Sequence, residues 1–171
     1  MAARSDTFVD SHVLFDFGRS SRIGLPEAVF CEGKPFSSLK SLLSRFGRGS
    51  GHPILFTRLS PDVFGSMPGE IKEAYDYDPL SRTAFGDTMP ERKRGSVAIV
   101  SAGTADGFVT FEAARTLTYL GVHNEVFEDC GVAGLWRLTE KLPAINACDC
   151  VIVVAGLDAA LLSVVGGLIS K

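Results

Sequence analysis

Two kinds of apolar pattern run along this chain, and the change between them falls near residue 95. From Gly95 onward two apolar runs are nearly uninterrupted, Ser96 to Ser101 and Val151 to Gly156, each ending in a small-residue turn, and Val122 to Phe127 lies between them as a further segment. Runs of that kind mark strands covered on both faces, as in a parallel sheet. Between and after them the spacing becomes helical. Phe108, Phe111, Ala114, Leu117 and Leu120 make one stripe, stopped by Gly121. Leu135, Leu138 and Leu142 make a second, limited by Pro143. Leu161, Leu162, Val165 and Leu168 make a third, beginning near Asp158. The pattern predicts strand–helix three times over, a parallel three-layer α/β domain that ends without a closing strand.

The earlier part of the chain is less regular. Ala28 to Cys31 reads as a short strand. Phe36, Leu39, Leu42, Leu43 and Phe46 lie on one face of a predicted helix, ended by Gly47-Arg-Gly-Ser-Gly51. Pro53 to Thr57 is the next strand, and Ser60-Pro61-Asp62 opens a helix with proline at its first position. Tyr75 to Tyr77 and Thr83 to Phe85 predict two more short strands. His12 to Phe15 is apolar, and Arg19-Ser-Ser-Arg22 reads as a basic turn. The polar segment Met89 to Gly95 is the expected linker. The organisation expected is therefore a small α/β domain over residues 1–90 and a second, incomplete α/β domain over 95–171.

Composition narrows the function classes. Of 171 residues 46% are hydrophobic and 22% charged, which is globular usage. A net charge of -3 argues against a sequence-independent nucleic-acid binder. No run has the length and apolarity of a membrane span, since Asp158 and Ser163 interrupt the longest. The first residues lack the apolar core of a secretory signal, so the expected compartment is the cytoplasm, or a plastid if a leader precedes them. Four cysteines, Cys31, Cys130, Cys148 and Cys150, show neither zinc nor redox spacing, and Cys148 and Cys150 read as small buried residues entering a strand. The three histidines are scattered, so no metal site is expected.

In parallel sheets ligands bind where the chain leaves the strands' carboxyl ends. That directs attention to three turns. In Ser101-Ala-Gly-Thr-Ala-Asp106, Gly103 admits a ligand to the backbone, the Thr104 hydroxyl and free amides suit an anionic oxygen, and Asp106 can hold a ribose hydroxyl or cap the helix. In Asp129-Cys-Gly-Val-Ala-Gly134, Gly131 keeps the loop narrow, and Arg137 just beyond can meet a phosphate or carboxylate, or simply be solvated. In Ala155-Gly156-Leu157-Asp158, Asp158 can be a general acid or base in a half-buried site, or a helix cap.

Val97 to Asp106, Asp129 to Arg137 and Val151 to Lys171 resemble the LarB family of nickel-pincer cofactor biosynthesis proteins, which is related to the PurE-type aminoimidazole ribonucleotide carboxylases. Arg22 to Glu27, Val29 to Lys34 and Thr57 to Pro61 resemble the N-terminal signature of the same family. The resemblance implies a PurE-like, flavodoxin-like C-terminal domain through which the protein forms homo-oligomers. It implies carboxylation of nicotinic acid adenine dinucleotide with CO2 or bicarbonate as co-substrate, and cleavage of the phosphoanhydride to AMP. No tightly bound cofactor is implied, and magnesium is an optional ion. By the same resemblance Ser101, Gly103, Thr104, Asp106, Asp129, Gly131, Arg137, Ala155 and Gly156 bind substrate, and Asp158 is catalytic. The chain departs from the family at Ala105 (serine expected), Trp136 (histidine), Asp158 (glutamate) and Leu161 or Leu162 (proline). The family's nucleophilic cysteine belongs to a later segment, so the chain reads as C-terminally truncated. The alternatives are a PurE-type aminoimidazole ribonucleotide carboxylase or mutase, and a non-catalytic nucleotide-binding or interaction protein.

Overall fold

The computed structural model describes residues 8–10, 13–89 and 95–171. The chain divides into two compact units, Met1–Thr88 and Met89–Lys171, and each has its own apolar core. Of the expected linker, residues 90–94 lie outside the described part, as does His12.

The first unit begins with an antiparallel hairpin of β1 (Phe8–Asp10) and β2 (Val13–Leu14). Arg19-Ser-Ser-Arg22, expected as a turn, is helical: α1 (Arg19–Ile23). Two local features hold this single turn. Arg22 donates to both oxygens of Asp16 at 2.9 and 2.5 Å, and Gly24 closes the helix at φ 77°. Beside that guanidinium the Asp16 carboxyl is held below its ordinary range.

Next come β3 (Ala28–Phe30), α2 (Phe36–Arg45), β4 (Leu55–Thr57), α3 (Pro61–Gly65), α4 (Gly69–Glu73), β5 (Asp76–Asp78) and β6 (Thr83–Phe85). The sheet order is β3-β4-β6-β5. β3 and β4 are parallel, with α2 as their crossover, and the other pairs are antiparallel. The helical spacing noted above buries Leu39, Leu42 and Leu43 of α2, and Phe46 just after it, together with Val29, Phe56 and Leu59. Ser60 caps α3 by accepting from the Val63 amide, with Pro61 at the first position. α4 had no periodic signal, being one turn with a single buried residue, Ile71.

The second unit is a three-stranded parallel sheet in the order β8-β7-β9, made of β7 (Ser96–Ser101), β8 (His123–Phe127) and β9 (Cys150–Val154). α5 (Gly107–Tyr119) joins β7 to β8, α6 (Trp136–Ala147) joins β8 to β9, and α7 (Ala160–Leu168) follows. Ala98 and Val100 pack with Leu138, Ile145, Leu161 and Val165 of α6 and α7. Alternation puts Ile99 on the opposite face. The mixed α/β class with a parallel sheet is the one the pattern predicts.

Several details differ from expectation. The buried residues of α5 are Gly107, Thr110, Ala114 and Tyr119, so its inner face is rotated from the apolar stripe. Thr110 tolerates full burial because its hydroxyl donates back to the Asp106 carbonyl at 2.9 Å. Pro143 does not end α6 but lies inside it. Its ring is exposed, so the hydrogen bond it cannot donate is lost on the wet side. On α7, Leu161 and Val165 are buried, whereas Leu162 and Leu168 are 59% and 42% exposed. β9 is an edge strand and only partly covered. Cys148 is buried, but Cys150, at the start of that edge, is exposed.

Two measurements test this packing. A Cβ built on Gly86 would lie 2.7 Å from the Gly47 carbonyl carbon and against the Arg48 amide, so Gly86→Ala is expected to destabilise the first unit by about 1–3 kcal/mol in urea unfolding. Burial pushes the Cys31 thiol from 9.0 up to about 12. The folded state therefore favours the neutral thiol. Its contribution is complete below pH 9, and is lost as pH rises toward 12. Stability measured from pH 7 to 11 is expected to fall above pH 9, and less steeply in Cys31→Val than in Cys150→Ser.

Candidate functional site

β8 and β9 both pair in parallel with β7, so all three strands end on the same side of the second unit. The turns that leave them meet around one cavity of about 400 Å³. That volume is within the range of small-molecule sites. The connection from β7 goes to one neighbour and the connection from β8 crosses to the other, so the cavity lies at a topological switch point, where open α/β sheets take ligands.

Each wall follows from local chemistry. After β7, a single 3-10 turn (Thr104–Asp106) leads into α5. Asp106 folds back, and its Oδ2 accepts from the Gly103 amide at 2.9 Å. After β8, a second 3-10 turn (Val132–Gly134) precedes α6. Gly131 is needed there, because a Cβ would lie 2.8 Å from the Ala102 carbonyl oxygen. The loops after β7 and β8 are thus pressed together, and the Cys130 amide donates to the Ser101 carbonyl at 2.8 Å. After β9, Leu157 and Ala159 both adopt left-handed conformations, φ 49° and 54°. Asp158 sits between them, exposed, and its Oδ1 accepts from the Ala160 amide at 3.3 Å.

The starts of α5, α6 and α7 all approach this cavity. Unsatisfied amides and the helix dipoles give such a convergence a positive potential. Among the described residues, Arg137 adds the one full positive charge on the wall. Its Nη1 is paired with Asp129 at 2.7 Å, and its Nε and Nη2 donate to the carbonyls of Gly134 and Gly131 at 3.4 and 3.5 Å. Asp129 reaches it from a left-handed backbone, φ 56°. The guanidinium is therefore fixed at the rim rather than loose in solvent.

Of the residues singled out by sequence, Gly103, Asp106, Gly131, Arg137, Ala155, Gly156 and Asp158 line the cavity. Ser101, Thr104 and Asp129 do not. Ser101 is fully buried beneath it, its hydroxyl without a hydrogen-bond partner. Thr104 is exposed on the turn, and Asp129 acts only through Arg137. Asp158 is exposed rather than half-buried, because the left-handed bend turns it outward at the mouth. The tight loops leave room at Gly103 and Gly156, where a Cβ would have Asp106 oxygens as its nearest neighbours at 4.0 and 3.8 Å. Sequence reading missed Leu157, which stands wholly exposed at the mouth. Leucine carries no signal for a left-handed position. No cysteine lines the wall. Cys130 is buried behind it, and burial raises its thiol.

Residues 9–87 match the family profile described as the LarB/PurE-like N-terminal domain. Along 94% of its length the chain is also similar to an uncharacterized protein of Methanocaldococcus jannaschii, at 29% identity. It spans 66% of that relative's length. Among the described residues no helix is long and apolar enough to cross a membrane. The profile match supports a relationship of this chain, through its first unit, to the LarB/PurE family of carboxylases.

Proposed function

We propose that the cavity at the strand ends holds the mononucleotide half of nicotinic acid adenine dinucleotide, and that the protein serves its carboxylation. The observation that carries this reading is the convergence of three strand-end turns, three helix starts and one fixed guanidinium on a single cavity. Such a convergence suits a ligand with a phosphate at one end. Asp106 is placed to accept from a ribose hydroxyl once it exchanges the Gly103 amide for it. Asp158 stands at the mouth, where a reacting ring carbon would lose its proton. Neither His52 nor His123 lies on the wall, which disfavours an aminoimidazole ribonucleotide carboxylase using histidine there.

The chemistry sets out what this cavity does and does not supply. A thiolate adds to the pyridinium ring, and the ring takes up the electron pair. The electron-rich carbon so formed bonds to CO2. That carbon's proton leaves to a base, the C–S bond breaks, and aromaticity returns. Water then cleaves the phosphoanhydride and releases AMP. In this reading Asp158 is the base and Arg137 orients the anionic end. The thiol is not on this wall, so the chain's own share is binding, orientation and proton removal.

Calorimetric titration with nicotinic acid mononucleotide tests the binding step. Saturable binding is expected, roughly tenfold weaker in Arg137→Gln and weaker again in Gly131→Ala. Absence of binding to the folded chain would remove the proposal. For the chemical step, the protein incubated with the dinucleotide and bicarbonate is expected to release AMP. There Asp158→Asn should lower kcat on the order of 10²-fold with little change in mononucleotide affinity.

A further inference from the structure

The first unit has a second cavity, of about 190 Å³, that nothing in the proposed reaction uses. It lies at the carboxyl ends of the parallel pair β3 and β4. Residues 31–34 leave β3 there, and residues 58–60 leave β4. Arg82, immediately before β6, completes the wall. The strand ends are tied together by backbone bonds. The Cys31 amide donates to the Thr57 carbonyl, and the Leu59 amide to the Arg82 carbonyl, both at 2.9 Å.

The charge on this wall is one-sided. Among the described residues, Lys34, Arg58 and Arg82 face it with Glu32 as the single carboxylate, in a protein whose net charge is -3. Both arginines adopt left-handed backbone, φ 55° and 53°. That conformation is costly for a long side chain and persists only where the surroundings enforce it. Both also engage neighbouring groups of the protein, which restricts their motion. Asp78 accepts from the Ser81 amide and hydroxyl at 2.8 and 2.5 Å and, like the two arginines, has a further interaction within the protein. Gly33, at φ 77° with open space around it, leaves its backbone accessible at the same wall.

We infer that this cavity is a second, independent binding site, for a phosphate-type oxyanion. Its volume suits a phosphoryl group and is too small for a whole nucleotide. Guanidinium groups and an ammonium around a tetrahedral oxyanion are the chemistry that recognises it. Two sources share this chemistry, a free inorganic ion and the phosphoryl end of a metabolite.

The test is a site-resolved titration of the whole chain with inorganic phosphate, then with AMP, read by backbone amide shifts in NMR. Saturable shifts at residues 32–34 and 58–60 are expected. They should weaken roughly tenfold in Arg82→Asn, chosen because asparagine accepts a left-handed backbone, and in Lys34→Gln, an exposed change that leaves the fold alone. Arg137→Gln should not alter them. Raising the salt from 20 to about 200 mM should weaken them further. Tighter binding of AMP than of phosphate would identify a metabolite's phosphoryl group, and equal binding the free ion. The inference is overturned if these amides do not move, or if they move equally in the folded Lys34→Gln and Arg82→Asn proteins.

Discussion

The parallel pairing of β7 with both its neighbours is the constraint on which the second unit depends. Ile99 faces Val126 on one side and Ile152 on the other, and Ala98, Ile99 and Val100 are completely buried. Parallel registry forces all three strands to finish at one edge. It also forces long crossovers, which become α5 and α6 and point their starts at that edge. The cavity, its positive potential and the position of Arg137 all follow from this one arrangement. Two backbone bonds extend it into the loops: Ala102 donates to Val154 and Cys130 to Ser101. The rim is thus an extension of the sheet rather than a set of free loops.

Strain marks the same places. Among the described residues, the non-glycine residues with positive φ are Arg58, Arg82, Asp129, Leu157 and Ala159. Arg58 and Arg82 border the small cavity of the first unit, and Leu157 borders the large one of the second. Asp129 holds Arg137, and Ala159 opens α7 beside the large cavity. Each such residue costs of order 1–3 kcal/mol and persists where the surrounding structure enforces it.

Much of this was legible in the sequence, for physical reasons that also explain the failures. Ser96 to Ser101 and Val151 to Gly156 were recognisable because a strand in a parallel sheet has no polar face to show. The wall residues Gly103, Gly131 and Gly156 were recognisable because small residues at strand ends have few other uses. Thr110 and Tyr119 were invisible as inner-face positions, since threonine satisfies its own hydroxyl within the helix and leaves no trace in an apolar pattern. Pro143 misled because its effect on a helix depends on which side it faces. The left-handed turns at Leu157 and Ala159 had no glycine or asparagine to announce them. They decide that Asp158 lies at the mouth rather than within a half-buried site.

The two units obey one rule at different scales. The first has a single parallel pair, β3 and β4, so two strand ends and the start of an antiparallel neighbour define a cavity of about 190 Å³. The second has two parallel pairs about a shared strand, and three strand ends define one of about 400 Å³. The small one carries three cations on side chains, beside Leu39 in the first turn of α2. The large one carries one cation among the described residues, Arg137, and draws the rest of its positive potential from helix starts. Three full side-chain charges lose more attraction to salt screening than one such charge and helix starts, each of which carries only about half a unit charge. Binding at the first cavity should therefore respond more steeply to ionic strength than binding at the second, which follows from where each draws its charge.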